Sequence, residues 1–322
     1  MSATFKNQSR QFLRPTFMVL ITLIWLTACT PAAGTEILPS GAERTINVVA
    51  TTTILGDVVR QIGGDTVSLN VLLPEGSDPH TYQPTPQDLI KVSGADVIFI
   101  NGAGLESFLE RLLENAGKDK IVSVSEGIPL RQIEEDNNSS EPGHEHTGTD
   151  PHVWFDPQHV ETWVKTIETK LSSIDPANAA NYAANAEAYQ AELQALDAWI
   201  TEQVAMIPAE NRKLVTDHQE LGYFADRYGF ELVGAVIPSF SVAAEPSAEE
   251  VAALEDAIRV YDVPAIFIGT TVSPGLAQRI ATDTGARLVT LYTGTLTDAS
   301  GEAGSYLELM RFDVQAIVEA LR

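Results

Sequence analysis

Between Pro176 and Pro208 the chain runs for 31 residues without a glycine or a proline. Along it Tyr182, Ala186, Tyr189, Leu193, Leu196, Ile200, Val204 and Ile207 recur at three- and four-residue steps, the spacing of one helical face. Asp175-Pro176 offers a start signal, with Asp as N-cap and Pro at the first helical position. Such a helix would be roughly 46 Å long at about 1.5 Å per residue, where the average helix has only about 11–12 residues. The pattern predicts a helix over 176–208 that bridges two lobes rather than covering one sheet.

Both flanks of this segment alternate short apolar runs with helical patterns. Before it, strands are predicted at Ile46–Ala50, Val67–Leu73, Val97–Ile100 and Ile121–Val124. Helices are predicted from the Thr51–Thr53 cap to Gly63, at Pro86–Val92 and at Glu106–Ala116. After it, strands are predicted at Lys213–Thr216, Leu232–Ile237, Ala265–Gly269 and Arg287–Leu291. Helices follow at Glu220–Tyr228, Ser247–Tyr261, Pro274–Thr284 and Ser305–Leu321. Alternation at this spacing implies parallel, layered α/β lobes, assigned here to residues 44–175 and 209–322. Residues 132–149 are polar and aperiodic, as in a long loop.

The N-terminus has a different character. Residues 1–28 carry Lys6, Arg10 and Arg14 but no acid, and an apolar run extends from Phe17 to Leu26. That run is too short to span a bilayer core, which takes about 20 helical residues, and it reads as an export signal over 1–28. The Leu26-Thr27-Ala28-Cys29 ending resembles a bacterial lipoprotein signal, which makes Cys29 the acylated mature N-terminus. Residues 29–43, rich in Pro, Gly and small side chains, read as a tether. Cys29 is the only cysteine, so an intramolecular disulfide and a Cys-rich zinc module are both excluded. Forty-four acids against 20 bases leave a formal charge of −24, which argues against a nucleic-acid partner.

The six histidines include two in the same tripeptide, Asp78-Pro79-His80 and Asp150-Pro151-His152. His218 follows the strand Lys213–Thr216 and opens the next helix. In open α/β sheets ligands bind beyond the carboxyl ends of strands, where His80 and His218 fall. Imidazoles converging from two lobes would make a transition-metal site. Spacing alone does not separate that reading from surface histidines, because the sequence holds no local His-x3-His pattern.

Three segments in order resemble the zinc/manganese class of solute-binding proteins of ABC transporters: GSDPHTYQPTP from Gly76, DPHVWFDP from Asp150 and TDHQELGYF from Thr216. The resemblance covers nearly the whole mature chain. It implies two α/β lobes on one long rigid helix, with a divalent metal held in the cleft between them. His80, His152 and His218 match the family's nitrogen-ligand positions. The family's fourth ligand is an aspartate in the loop after the last strand; Asp298 is chosen here, with Glu302 close by. Three imidazoles and one carboxylate favour Zn2+ over Mn2+ as cargo. The family further implies delivery to a membrane permease, a monomer, and an extracytoplasmic protein held at the membrane through Cys29.

Many members have a glutamate where this chain has Gly269. Glu106 resembles a family position near the cleft and is expected behind the ligands or between the lobes. His144 and His146 read either as a thin version of the family's His-rich loop or as part of a solvated one, and His159, near the start of a helix, reads as a surface residue. An envelope zinc hydrolase is the rival reading, with a surface adhesin on the same fold a third. The hydrolase is disfavoured because the chain lacks His-Glu-x-x-His and because a fourth protein ligand would close the position that catalytic zinc keeps for water.

Overall fold

The computed structural model describes residues 45–114, 116–132, 148–239, 242 and 245–322. Cys29, the proposed leader and tether, and His144 and His146 lie outside the described residues.

The first sheet is built from β1 (Ile46–Ala50), β2 (Val67–Val71), β3 (Val97–Ile100) and β4 (Ile121–Ser123), all parallel, in the order β2-β1-β3-β4. The second contains β5 (Lys213–Thr216), β6 (Glu231–Ala235), β7 (Ala265–Gly269) and β8 (Arg287–Leu291), again parallel, in the corresponding order β6-β5-β7-β8. The crossovers carry α1 (Thr53–Gly63), α2 (Pro86–Gly94) and α3 (Glu110–Leu113) in the first lobe. In the second they carry α6 (Gly222–Tyr228), α7 (Ala248–Val260) and α8 (Gly275–Thr284), and α9 (Tyr306–Leu321) follows β8. The two-lobed parallel architecture read from the sequence is the one observed.

Side-chain alternation along the strands explains how two sheets form one body. Successive strand residues point to opposite faces. In β1 and β3, Val48, Ala50, Val97 and Phe99 enter a core that extends through both lobes, whereas Val49 and Ile98 face a smaller cluster under α2 and α3. In β7, Ala265 and Phe267 face the common core and Ile266 and Ile268 the cluster under α7 and α8. Each sheet is therefore covered on both sides, which parallel sheets require.

The common core is closed by two long helices. One is α5 (Ala179–Val204), which packs against α1, α4 and α9 and so touches helices of both lobes. All eight apolar positions singled out in the 176–208 segment are buried. The helix nonetheless starts later than predicted, at Ala179. Asp175 closes the preceding helix, its N–H donating to Leu171 O, and its carboxylate accepts from Asn178 Nδ2 (2.7 Å) and the Tyr182 hydroxyl (2.8 Å). That preceding helix is α4 (Pro157–Ile174), with His159 near its start. It begins with the same Asp-Pro signal, here working as a cap: Asp156 Oδ1 accepts from Gln158 N at 2.9 Å. Among the described residues no helix is long and apolar enough to cross a membrane.

Candidate metal centre

Three loops bring His80, His152 and His218 together. Both Asp-Pro-His tripeptides fold alike: His80 N–H donates to Asp78 Oδ1 at 2.8 Å, and His152 N–H to Asp150 Oδ1 at 2.9 Å. An aspartate bonding the backbone two residues on forms a tight local turn. The repeated tripeptide is thus a repeated device that presents an imidazole. His218 needs no such loop, because it lies two residues beyond the end of β5.

The ring nitrogens settle which edge faces inward. Nδ1 of His152 pairs with Asp150 Oδ1 at 2.8 Å, and Nδ1 of His218 forms a short hydrogen bond with Asp217. A carboxylate on one nitrogen fixes the proton there and leaves the other nitrogen's lone pair to a ligand. The Nε2 atoms then converge: His80 to His152 is 3.2 Å and His218 to His152 is 3.3 Å. Nitrogens bound at about 2.0–2.1 Å around one tetrahedral ion stand about 3.3–3.4 Å apart. His152 and His218 are buried, and His80 is partly buried.

The charge is not shared evenly. Burial, reinforced by the neighbouring His218, holds His152 well below the usual histidine range and therefore neutral. Burial also opposes a charge on His218, but the carboxylates of Glu220 and Asp217 outweigh it and push that imidazole up to about 9. Asp150 is pushed up to about 7 by burial, against the His152 N–H bond and the Arg131 charge. Glu220, with its carboxylate Oε2 3.5 Å from His218 Nε2, is driven upward by burial and by Asp217.

Asp298 is not brought to the histidines. It is exposed and closes its own turn, Oδ1 accepting from Ser300 N (2.9 Å) and the Ser300 hydroxyl (2.5 Å). The loop after β8 meets the first lobe elsewhere. Thr293 O accepts from Trp154 Nε1 (3.1 Å), Gly76 N–H donates to Thr295 Oγ1 (3.1 Å), and a Cβ on Gly294 would lie 3.1 Å from Pro79 Cδ. Glu302 is also exposed, and its carboxylate accepts from the Tyr292 hydroxyl at 3.4 Å.

Gly269 occupies a place with no room for a glutamate. Its N–H donates to Asp217 Oδ2 (2.5 Å), and a Cβ there would come within 2.3 Å of Thr293 Oγ1. The carboxylate beside His218 is supplied by Asp217 instead. The hydrogen bonds of Glu106 lie within the first lobe. The residue is buried at the β1/β3 switch point, accepting from the Thr51 hydroxyl (2.8 Å), Asn101 N (2.7 Å) and Gly102 N (3.0 Å). Asn101 Nδ2 in turn donates to Pro151 O at 3.0 Å, so Glu106 supports the loop that presents His152. His159 is half-buried, with its ring edge-on to Tyr223 at 5.0 Å.

Two parallel α/β lobes over a shared core, with histidines from both converging at the cleft, define a solute-binding protein of the metal-binding kind. The sequence model of the family described as "Zinc-uptake complex component A periplasmic" matches residues 48–320, and the chain belongs to that family. It is the substrate-binding component of a metal ABC transporter and not an enzyme. Among curated relatives it is 36% identical over 280 residues to the manganese-binding lipoprotein MntA of Halalkalibacterium halodurans, covering 86% of this chain and 88% of that one. It is 32% identical over 315 residues to the manganese ABC transporter substrate-binding lipoprotein PsaA of Streptococcus pneumoniae, covering 95% and 98%. Among solved structures, the periplasmic zinc binding protein TroA from Treponema pallidum superposes with a TM-score of 0.77 at 30% identity, covering 86% of this chain and 99% of that one. The Mn-bound periplasmic metal binding protein from candidatus liberibacter asiaticus gives 0.76 at 28% identity, covering 87% and 100%.

Proposed function

We propose that this protein captures a divalent transition metal outside the cytoplasm, zinc in preference to manganese, and delivers it to a membrane permease. The observation that carries the reading is the convergence of three Nε2 atoms at 3.2 and 3.3 Å from both lobes. Imidazole donors suit zinc, whereas manganese favours carboxylate and water oxygens. MntA and PsaA are named for manganese and TroA for zinc, so relatives of both kinds surround the chain.

The test is metal analysis of the full chain, followed by competition with a calibrated chelator. Zinc is expected to bind more tightly than manganese in the wild type, and His218→Glu to shift the ratio toward manganese. An unchanged ratio would remove His218 as the selectivity determinant.

Residues 1–28 act as the leader, 29–43 as the tether, and the protein works as a monomer held by a lipidated Cys29. Lobe limits of 44–175 and 209–322, with 176–208 between them, belong to the same reading. A single acyl chain binds membranes only marginally, so stable attachment takes a second one. Cys29→Ser is expected to leave the precursor unprocessed or release it from membranes; normal processing with membrane retention would overturn the anchor.

A further inference from the structure

We propose that Glu220 supplies the carboxylate that completes the ion's coordination, so that each lobe contributes two ligands: His80 and His152 from the first, His218 and Glu220 from the second. This rests on the reading of the three histidines as the metal centre.

Glu220 Oε2 lies 3.5 Å from Nε2 of His218, the same nitrogen that meets His152 Nε2 at 3.3 Å. It is therefore on the ligand edge of the ring, whereas Asp217 holds the Nδ1 edge. The separation from His218 is close to the roughly 3.3–3.4 Å expected between two donor atoms on one tetrahedral ion; the carboxylate groups with Asp217 and His218 rather than with His80 and His152, so it joins the ion by swinging inward.

Glu220 is also poorly served where it stands, although the Thr293 hydroxyl lies near enough to favour its charged form. The residue is 1% exposed, and its Oε1 is buried without a hydrogen bond of ordinary geometry. Buried carboxylate oxygens without a donor are costly and uncommon. The other acids around the cluster have hydrogen-bond donors of their own. Asp78 holds His80 N and the Thr271 hydroxyl, Asp150 holds His152 and faces Arg131, and Asp217 holds His218 Nδ1 and Gly269 N.

The loop after β8 approaches the first lobe through Thr293, Gly294 and Thr295, none of which carries a carboxylate, and Asp298 is engaged with Ser300. A divalent ion among three neutral imidazoles would keep both charges in a largely dry site. One carboxylate halves that charge, and burying a charge is tolerable only when it is paired.

The experiment uses the full chain and its Glu220→Gln, Asp298→Asn and His218→Ala variants. Zinc affinity is read by chelator competition, coordination by the visible spectrum of the Co2+ form, and folding by the melting temperature of the metal-free protein. Glu220→Gln is expected to weaken zinc by more than about hundredfold, beyond the 10–100-fold typical of outer-shell partners. It should also change the Co2+ spectrum while leaving the metal-free melting temperature at or above wild type. Asp298→Asn should match wild type in all three. Wild-type affinity and spectrum in Glu220→Gln, or a loss of affinity that merely follows a collapse of the metal-free melting temperature, would overturn the assignment. His218→Ala separates the two readings: if it loses zinc while Glu220→Gln does not, the histidine centre stands and only the fourth ligand fails. If His218→Ala retains zinc, the centre itself fails.

Discussion

The two lobes share a strand order, yet they present their histidines in different ways. The first lobe reaches the site with long loops after β2 and β4, each closed by an Asp-Pro-His turn. The second uses the end of β5 directly, with Asp217 and Glu220 on either side of His218. As a result His152 is held neutral by burial while His218 is surrounded by carboxylate. The shared core means that both arrangements are mounted on one body, with α5 packed against helices of each lobe. The difference teaches that matching topology does not require matching chemistry: the first lobe brings two imidazoles on Asp-Pro-His turns, the second one imidazole flanked by two carboxylates.

The largest effect that would break this comparison comes from the first lobe. His152 Nε2 lies within 3.3 Å of both other ring nitrogens and is the hub of the cluster. His152→Ala is expected to abolish zinc-induced thermal stabilisation, because metal raises stability only by binding the folded state. Scanning calorimetry with and without zinc checks it. A shift that survives in His152→Ala would mean that the second lobe binds the ion alone.

Smaller effects should follow from the carboxylates behind the rings. Asp150→Asn and Asp217→Asn each remove an anion from Nδ1 of a histidine, and such losses typically cost 10–100-fold in metal affinity. Asp150→Asn also removes one of the two acids facing Arg131, whose Nε lies 3.6 Å from Asp150 Oδ2 while Nη1 pairs with Asp226. Comparable losses from both, measured by chelator competition, would show that the two lobes orient their imidazoles by the same means. A loss confined to Asp217→Asn would place the orientation of His152 in its backbone turn alone.

Glu106 tests support for the first-lobe loop. Its carboxylate accepts three donors, among them Asn101 N, and Asn101 carries the bond to Pro151 O. Glu106→Gln sets an amide N–H against one of these donors, at a cost of about 1–3 kcal/mol for an unsatisfied buried group. The expected result is a lower melting temperature in the metal-free protein and a modest loss of zinc affinity. An unchanged affinity beside a lowered melting temperature would confine Glu106 to the fold.

Much of this architecture can be read in the chain because it is local. β1, β3, β5, β7 and β8 fall at the limits that their apolar runs predict. The repeated Asp-Pro-His carries its own turn, which is why two of the three histidines stand out. Asp156-Pro157 announces α4 as clearly as Asp175-Pro176 predicts the start of α5. The same dipeptide caps one helix and ends another, because at Asp175 the hydrogen bond from Asn178 and the packing of Tyr182 decide the outcome. Asp298 is the acid that the linear order favours, but a loop presents whichever residue its closure turns inward, and here that is Gly294. Glu220 gives no sign in the sequence, since one acid at a helix start ordinarily faces water. Its burial is a tertiary fact.

The smallest contrast lies away from the cleft, in two helix starts of the same design. Each lobe has a capping box, Thr85 with Asp88 at α2 and Ser247 with Glu250 at α7. In the second lobe Glu250 is exposed and, among the described residues, accepts only from Ser247 N at 2.6 Å. In the first, Asp88 is buried. Its Oδ2 accepts from Thr85 N (2.9 Å), the Thr85 hydroxyl (2.7 Å) and the Tyr82 hydroxyl (2.7 Å), and Oδ1 faces Lys91 Nζ at 3.1 Å. Burial pushes the Asp88 carboxyl up, but these donors outweigh it and hold it at about 2, below its usual 3.8. A depressed carboxyl in the folded state contributes stability above the unfolded value and loses it as pH falls through the folded one. Asp88→Asn should therefore cost about 1–3 kcal/mol at pH 7, and its deficit should shrink as pH falls from about 4 toward about 2. Glu250→Gln, an exposed change, should stay within about 0.5 kcal/mol. Urea unfolding of both variants at pH 7 and at stepped acid pH checks the pair; a deficit in Asp88→Asn that does not narrow with acid would mean that shape rather than charge holds that turn.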